Sequence, residues 1–105
     1  METADKKYTV IISDEATQML VSHSRFLAQV SEQAALNLIT EFSEKAKSLE
    51  RFPERNPLLS DPSLPINKYR KLSIYKRYLL IYQIKGSTVY IDAVVDCRQN
   101  YRWLL

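Results

Sequence analysis

All four prolines of this 105-residue chain, Pro53, Pro57, Pro62 and Pro65, fall in one short stretch, which can be neither a regular helix nor an interior strand. A proline lacks the N–H that either hydrogen-bond ladder requires, so the stretch must be an irregular connection between two halves. Before it, apolar residues recur at helical spacing; after it, they gather into β-type runs. A chain of 105 residues has room for one domain, 1–105, with a single core that folds without cross-links.

In the first half, Tyr8, Val10 and Ile12 alternate with Thr9, Ile11 and Ser13, which is the period of a strand. Ser13 then reads as a helix N-cap, followed by Asp14 and Glu15 where the helix dipole favours negative charge. Ala16, Leu20, His23, Leu27 and Val30 continue at spacings of three and four and predict an amphipathic helix. Ser31 opens a second helix, carried by Ala35, Ile39, Phe42, Ala46 and Leu49 and stopped before Pro53. The tight corner between them predicts an antiparallel helical hairpin.

In the second half, the nearly continuous apolar run Tyr78 to Ile84 fits a central strand, and Lys85-Gly86-Ser87 turns it into the strand Thr88 to Val95. Tyr69 to Ile74 forms an earlier strand, returned by Tyr75-Lys76-Arg77. Leu58, Leu59 and Leu64 predict that the proline stretch packs on the body as a belt. The fold class is therefore α+β, in the order β-α-α-β-β-β. The N-terminal strand joins three antiparallel strands in a mainly antiparallel four-stranded sheet, and the helical hairpin covers one face. An exposed sheet edge is expected to accept a strand or helix from a partner.

Charge divides along the same boundary. From Lys68 onward eight lysines and arginines stand against Asp92 and Asp96, a net +6, so the first 67 residues carry −3 of the overall +3. A basic, tyrosine-rich half suits a polyanion or an acidic partner. One cysteine and one histidine exclude a disulfide framework and any familiar zinc spacing, pointing to a reducing, cytoplasmic setting. The single glycine, Gly86, excludes a phosphate-binding loop, and no cofactor is expected. No apolar run approaches the roughly 20 residues of a membrane span.

Familiar catalytic groups are scarce. His23 lies on the apolar stripe of the first helix and reads as packed, Cys97 as a small packed side chain at a strand end, and Tyr8, Tyr82 and Tyr90 as strand packing. Asp92 and Asp96 share a strand parity and suit salt bridges better than acid and base roles. Arginine, lysine and tyrosine remain. They can grip phosphates, stack on RNA bases, stabilise the charged transition state of RNA cleavage, or bind an acidic protein segment.

The order strand, helical hairpin, Leu49-Glu50-Arg51-Phe52-Pro53, then Tyr69-Arg70-Lys71-Leu72, Tyr78-Leu79-Leu80-Ile81-Tyr82-Gln83-Ile84 and the tail Val94 to Tyr101 resembles the RelE/ParE superfamily of bacterial type II toxins across essentially the whole chain. The resemblance implies a compact toxin held inactive by a cognate antitoxin whose extended segment wraps around it. RelE-like toxins cut messenger RNA in the ribosomal decoding site, whereas ParE-like toxins poison DNA gyrase. It also implies a catalytic role for Arg98, with Tyr101 as the C-terminal aromatic at a shortened offset. Leu79 stands where relatives commonly carry an arginine, in the pattern Tyr-Arg-x-x-Tyr. Arg77, two residues earlier, has the same strand parity and would project from the same face, offset by roughly 7 Å. The expected site is thus Arg98, Tyr101 and Arg77 for catalysis, with Arg70, Lys71 and Lys76 gripping RNA, in a ribosome-dependent mRNA endoribonuclease. The alternatives are a gyrase inhibitor without nuclease activity and a degenerate module that binds an acidic peptide.

Overall fold

Two capped helices lie across a four-stranded mixed sheet in the computed structural model, which describes residues 6–97. The chain runs β1 (Thr9–Ile12), α1 (Asp14–Ala28), α2 (Glu32–Ser48), a short 3-10 turn (Pro53–Arg55), β2 (Arg70–Ile74), β3 (Tyr78–Lys85) and β4 (Thr88–Asp96). The sheet order is β1-β4-β3-β2, with β1 parallel to β4 and the other pairs antiparallel. Both predicted caps form: Ser13 Oγ accepts the Ala16 N–H at 3.0 Å, and Ser31 Oγ the Ala34 N–H at 3.2 Å.

The sheet has two cores. On one face, Leu38, Phe42, Ala46 and Leu49 of the hairpin meet Leu80, Tyr82, Ile91 and Val94. On the other, Leu59 and Leu64 from the proline stretch cover Tyr69, Ile81, Ala93 and Val95, so the belt is real. It also covers the start of the β2 edge, through Leu59 N–H to Tyr69 O at 2.7 Å and Lys71 N–H to Pro57 O at 3.0 Å. Burying leucines on the face away from the helices lets a small chain cover both sides of its sheet.

Two details differ from the sequence reading. The α2 residue pointing into the core is Leu38, fully buried, while Ile39 faces outward, and Val30 lies past the end of α1 with most of its surface exposed. A bulge in the β3–β4 ladder pairs Tyr82 with Ile91 but Ile81 with Ala93, leaving Asp92 as the extra residue. It reverses the parity of β4, so Asp92 and Asp96 do not share a face. Asp92 accepts Gln83 Nε2 at 2.6 Å, and Asp96 pairs with Arg77.

Gly86 has φ +60° at the first position of the two-residue β3–β4 turn, while Ser87 has no positive φ. This is the type II′ pattern, which matches the twist of the flanking strands.

Candidate functional site

The basic residues singled out by sequence separate into two groups at opposite ends of β2. At the far end lies the turn Tyr75-Lys76-Arg77, in which Tyr75 and Lys76 both hold positive φ, 33° and 66°. Side chains with a Cβ resist this region, so neighbours must hold the turn in place. Glu41 of α2 does so by accepting the Tyr75 N–H at 2.8 Å, and the Arg77 N–H bonds Tyr75 O at 2.9 Å. Arg77 O in turn accepts the Cys97 N–H at 2.7 Å, which ties the turn to the end of β4.

Arg77 precedes β3 rather than lying on it. Its Nε sits 3.2 Å from Asp96 Oδ2, with the guanidinium 5.9 Å from the centre of the Tyr78 ring, on the helix side of the sheet. Leu79 points to the opposite face, half-buried against the belt cluster. The expectation that Arg77 shares the face of Leu79 therefore fails, because strand parity does not extend into the turn. Lys76 is exposed in the same turn, its Nζ 5.5 Å from the Tyr75 ring centre. Cys97 is exposed, contrary to its reading as packed. His23 is half-buried as expected, its Nε2 donating to Val94 O at 2.9 Å and its ring 5.0 Å from that of Tyr78. A carbonyl accepts only from a protonated nitrogen, so this fixes the tautomer and occupies Nε2. Arg98 and Tyr101 lie outside the described residues.

At the near end of β2, Arg70 is committed to the fold. Its Nη1 donates to Glu54 O at 2.9 Å and Asn56 O at 2.6 Å, holding the 3-10 turn. Tyr82 Oη donates to Pro53 O at 2.6 Å and accepts Asn56 Nδ2 at 3.0 Å. Tyr8 Oη donates to the Glu54 carboxylate. This latch binds β2, β3 and the residue before β1 to the segment that follows the hairpin, where Phe52 has a left-handed conformation with φ 53°. Sequence reasoning missed it, although Tyr8 and Tyr82 were visible as strand residues and the proline stretch as an irregular connection. Lys71 is half-buried on the belt face, opposite Ile81, with Lys68 close to the Tyr69 ring.

The Tyr8 hydrogen bond holds the Glu54 carboxyl below its ordinary 4.5, helped by a backbone N–H and by Lys6 and Arg70. The same bond raises the Tyr8 phenol above its ordinary 10.0. A depressed carboxyl favours the folded state above its unfolded value, and the benefit disappears as pH falls through the folded one. The midpoint of urea unfolding should therefore drop on acidification below about pH 4.5, and Glu54→Gln should reduce that drop.

A third feature lies on the outer side of the hairpin. Leu20, Val21, Ser24, Arg25, Ala28, Ala35 and Ile39 line an apolar groove of about 430 Å³ between α1 and α2. Ser24 Oγ is buried there with no hydrogen-bond partner among the described residues, an arrangement proteins rarely leave unfilled. Its signal in the sequence was Val21, an apolar residue off the stripe of the first helix, whereas Ile39 was read as part of the stripe of the second.

Comparison with known proteins decides the family. Residues 10–101 match the family model described as ParE toxin of type II toxin-antitoxin system, parDE. The chain belongs to the ParE toxin family. Among solved structures, a chain of the chromosomal ParDE TA system from P. aeruginosa is similar in fold, with a TM-score of 0.68 and 13% sequence identity over 87% of this chain and 97% of that one. No curated protein sequence gives a significant match. The ParE family implies an antitoxin partner. No helix among the described residues is long and apolar enough to cross a membrane.

Proposed function

We propose that this chain arrests growth by binding a protein target in the manner of ParE toxins, with DNA gyrase as the target implied by the resemblance, rather than by cutting messenger RNA. The observation that carries this reading is the commitment of the two arginines closest to the expected catalytic strand. Arg70 holds two belt carbonyls and Arg77 is paired with Asp96, while Leu79 is packed in the belt cluster. Stabilising the charge that builds at a scissile phosphate requires cations aimed at it and free of other partners. His23 is read as a packing residue, its Nε2 donating to Val94 O and its ring 5.0 Å from that of Tyr78.

The antitoxin's seat is the groove between α1 and α2. An amphipathic segment from a partner would bury Val21 and Ile39, and a polar atom on it would satisfy Ser24.

Expression without a partner, with messenger 5′ ends mapped alongside growth, tests the choice. The expected result is arrest without new 5′ ends, in the native chain and in Arg98→Ala where that variant still arrests growth. Cuts within codons that disappear in Arg98→Ala would instead establish the ribosome-dependent endoribonuclease.

A further inference from the structure

The two edges of the sheet are closed unequally. The belt covers β2 at Tyr69 and Lys71, and Glu41 takes the N–H of Tyr75 just beyond its other end. On β1 the odd-numbered residues point inward, with the Thr9 N–H bonded to Ser87 O and the Ser13 N–H to Ile91 O, each at 3.0 Å. The even-numbered ones point outward. The Tyr8 N–H is taken by Glu50 O at 2.8 Å, whereas no described residue pairs with the outward N–H and C=O groups of Val10 and Ile12. The strand has no charge, proline or bulge to blunt this edge, and its Ile11 and Ile12 side chains are 45% and 42% exposed.

We propose that this edge is a self-association surface, on which β1 of a second copy of the chain pairs antiparallel about a twofold axis at Ile11. Hydrogen-bonded pairs in an antiparallel ladder need outward-pointing residues on both strands, which restricts the register. Pairing Val10 with Val10 would set Ile12 against Tyr8, whose N–H is already used; pairing Ile12 with Ile12 would set Val10 against Asp14, where α1 begins. Pairing Val10 with Ile12 of the second copy satisfies every outward group of both strands. The Ile11 side chains then meet on the axis at a non-hydrogen-bonded position, where opposed Cβ atoms lie about 4.5–5.5 Å apart. Lys7, whose side chain is 64% exposed and whose Nζ lies 3.9 Å from Glu50 Oε1 within its own chain, is placed by this register beside the acidic first turn of α1 in the second copy, Asp14 and Glu15, and symmetry repeats the contact. This complementarity of charge selects a second copy over an unrelated strand as the occupant.

Sedimentation of the full chain over a range of concentrations, combined with disulfide trapping in a Cys97→Ser background, tests the register. The expected result is a reversible dimer. Ile11→Cys should cross-link at least about tenfold faster than Thr9→Cys, because only position 11 faces itself across the axis. Val10→Pro removes an outward N–H and no internal ladder bond, so a folded Val10→Pro chain should be monomeric. Ile11→Lys, which opposes two like charges on the axis, is the second variant should the proline disturb folding. A chain that remains monomeric at its highest soluble concentration, equal cross-linking at positions 9 and 11, or a dimer that survives both Val10→Pro and Ile11→Lys would overturn the proposal. So would an edge filled only by a strand from another protein.

Discussion

Leu38→Ala is expected to cost about 2–5 kcal/mol of folding free energy, one of the largest losses on the helical side. Leu38 is fully buried and sits where α2 meets the sheet, within the cluster of Phe42, Leu80 and Tyr82. Removing its side chain leaves a cavity between the helix and the sheet, neither of which can relax inward without breaking its own ladder. Ile39→Ala on the next residue should cost far less, because Ile39 is 41% exposed along the groove. The pair can be read from urea unfolding midpoints, and equal losses at the two positions would contradict the assignment of faces.

Tyr82→Phe is expected to cost about 1–3 kcal/mol although it removes a single oxygen. The hydroxyl is buried, donating to Pro53 O and accepting from the half-buried Asn56, so its loss leaves a buried carbonyl without its donor and takes a partner from Asn56. Arg70→Ala breaks the same latch from the other side by releasing Glu54 O and Asn56 O. The two substitutions share Asn56 and should be less than additive in a double-mutant cycle. Each should also speed proteolysis within the belt, residues 56–69, before the sheet unfolds. An Arg70→Ala chain that keeps full stability while losing activity would instead mean that Arg70 acts on a target and not on the belt.

How far the sequence announced this outcome differs between the scaffold and the site. The capping serines, Gly86 and the nearly continuous apolar run of β3 each act over a few neighbouring residues, so the elements and the α+β order were legible locally. Leu38 against Ile39 was not, since spacings of three and four both fit a helical stripe and only the crossing of α2 over the sheet selects between them. The bulge at Asp92 was likewise invisible, because an extra strand residue leaves no mark on composition, and it overturned the shared parity of Asp92 and Asp96. The candidate site was the least legible. Charge counts gathered Arg70, Lys71, Lys76 and Arg77 into one grip, whereas β2 holds them at opposite ends and long-range partners claim both arginines. Those partners, the belt carbonyls and Asp96, are brought near only by the finished fold.

We propose that this ParE-family toxin acts on a protein target without cutting RNA. The most direct test is to add the purified chain to DNA gyrase with relaxed plasmid and to follow both supercoiling and trapped double-strand breaks. Supercoiling should fall and cleaved DNA accumulate with increasing chain, while a messenger in a translating ribosome stays intact under the same conditions. Unimpaired supercoiling together with codon-specific cuts in that messenger would contradict the proposal.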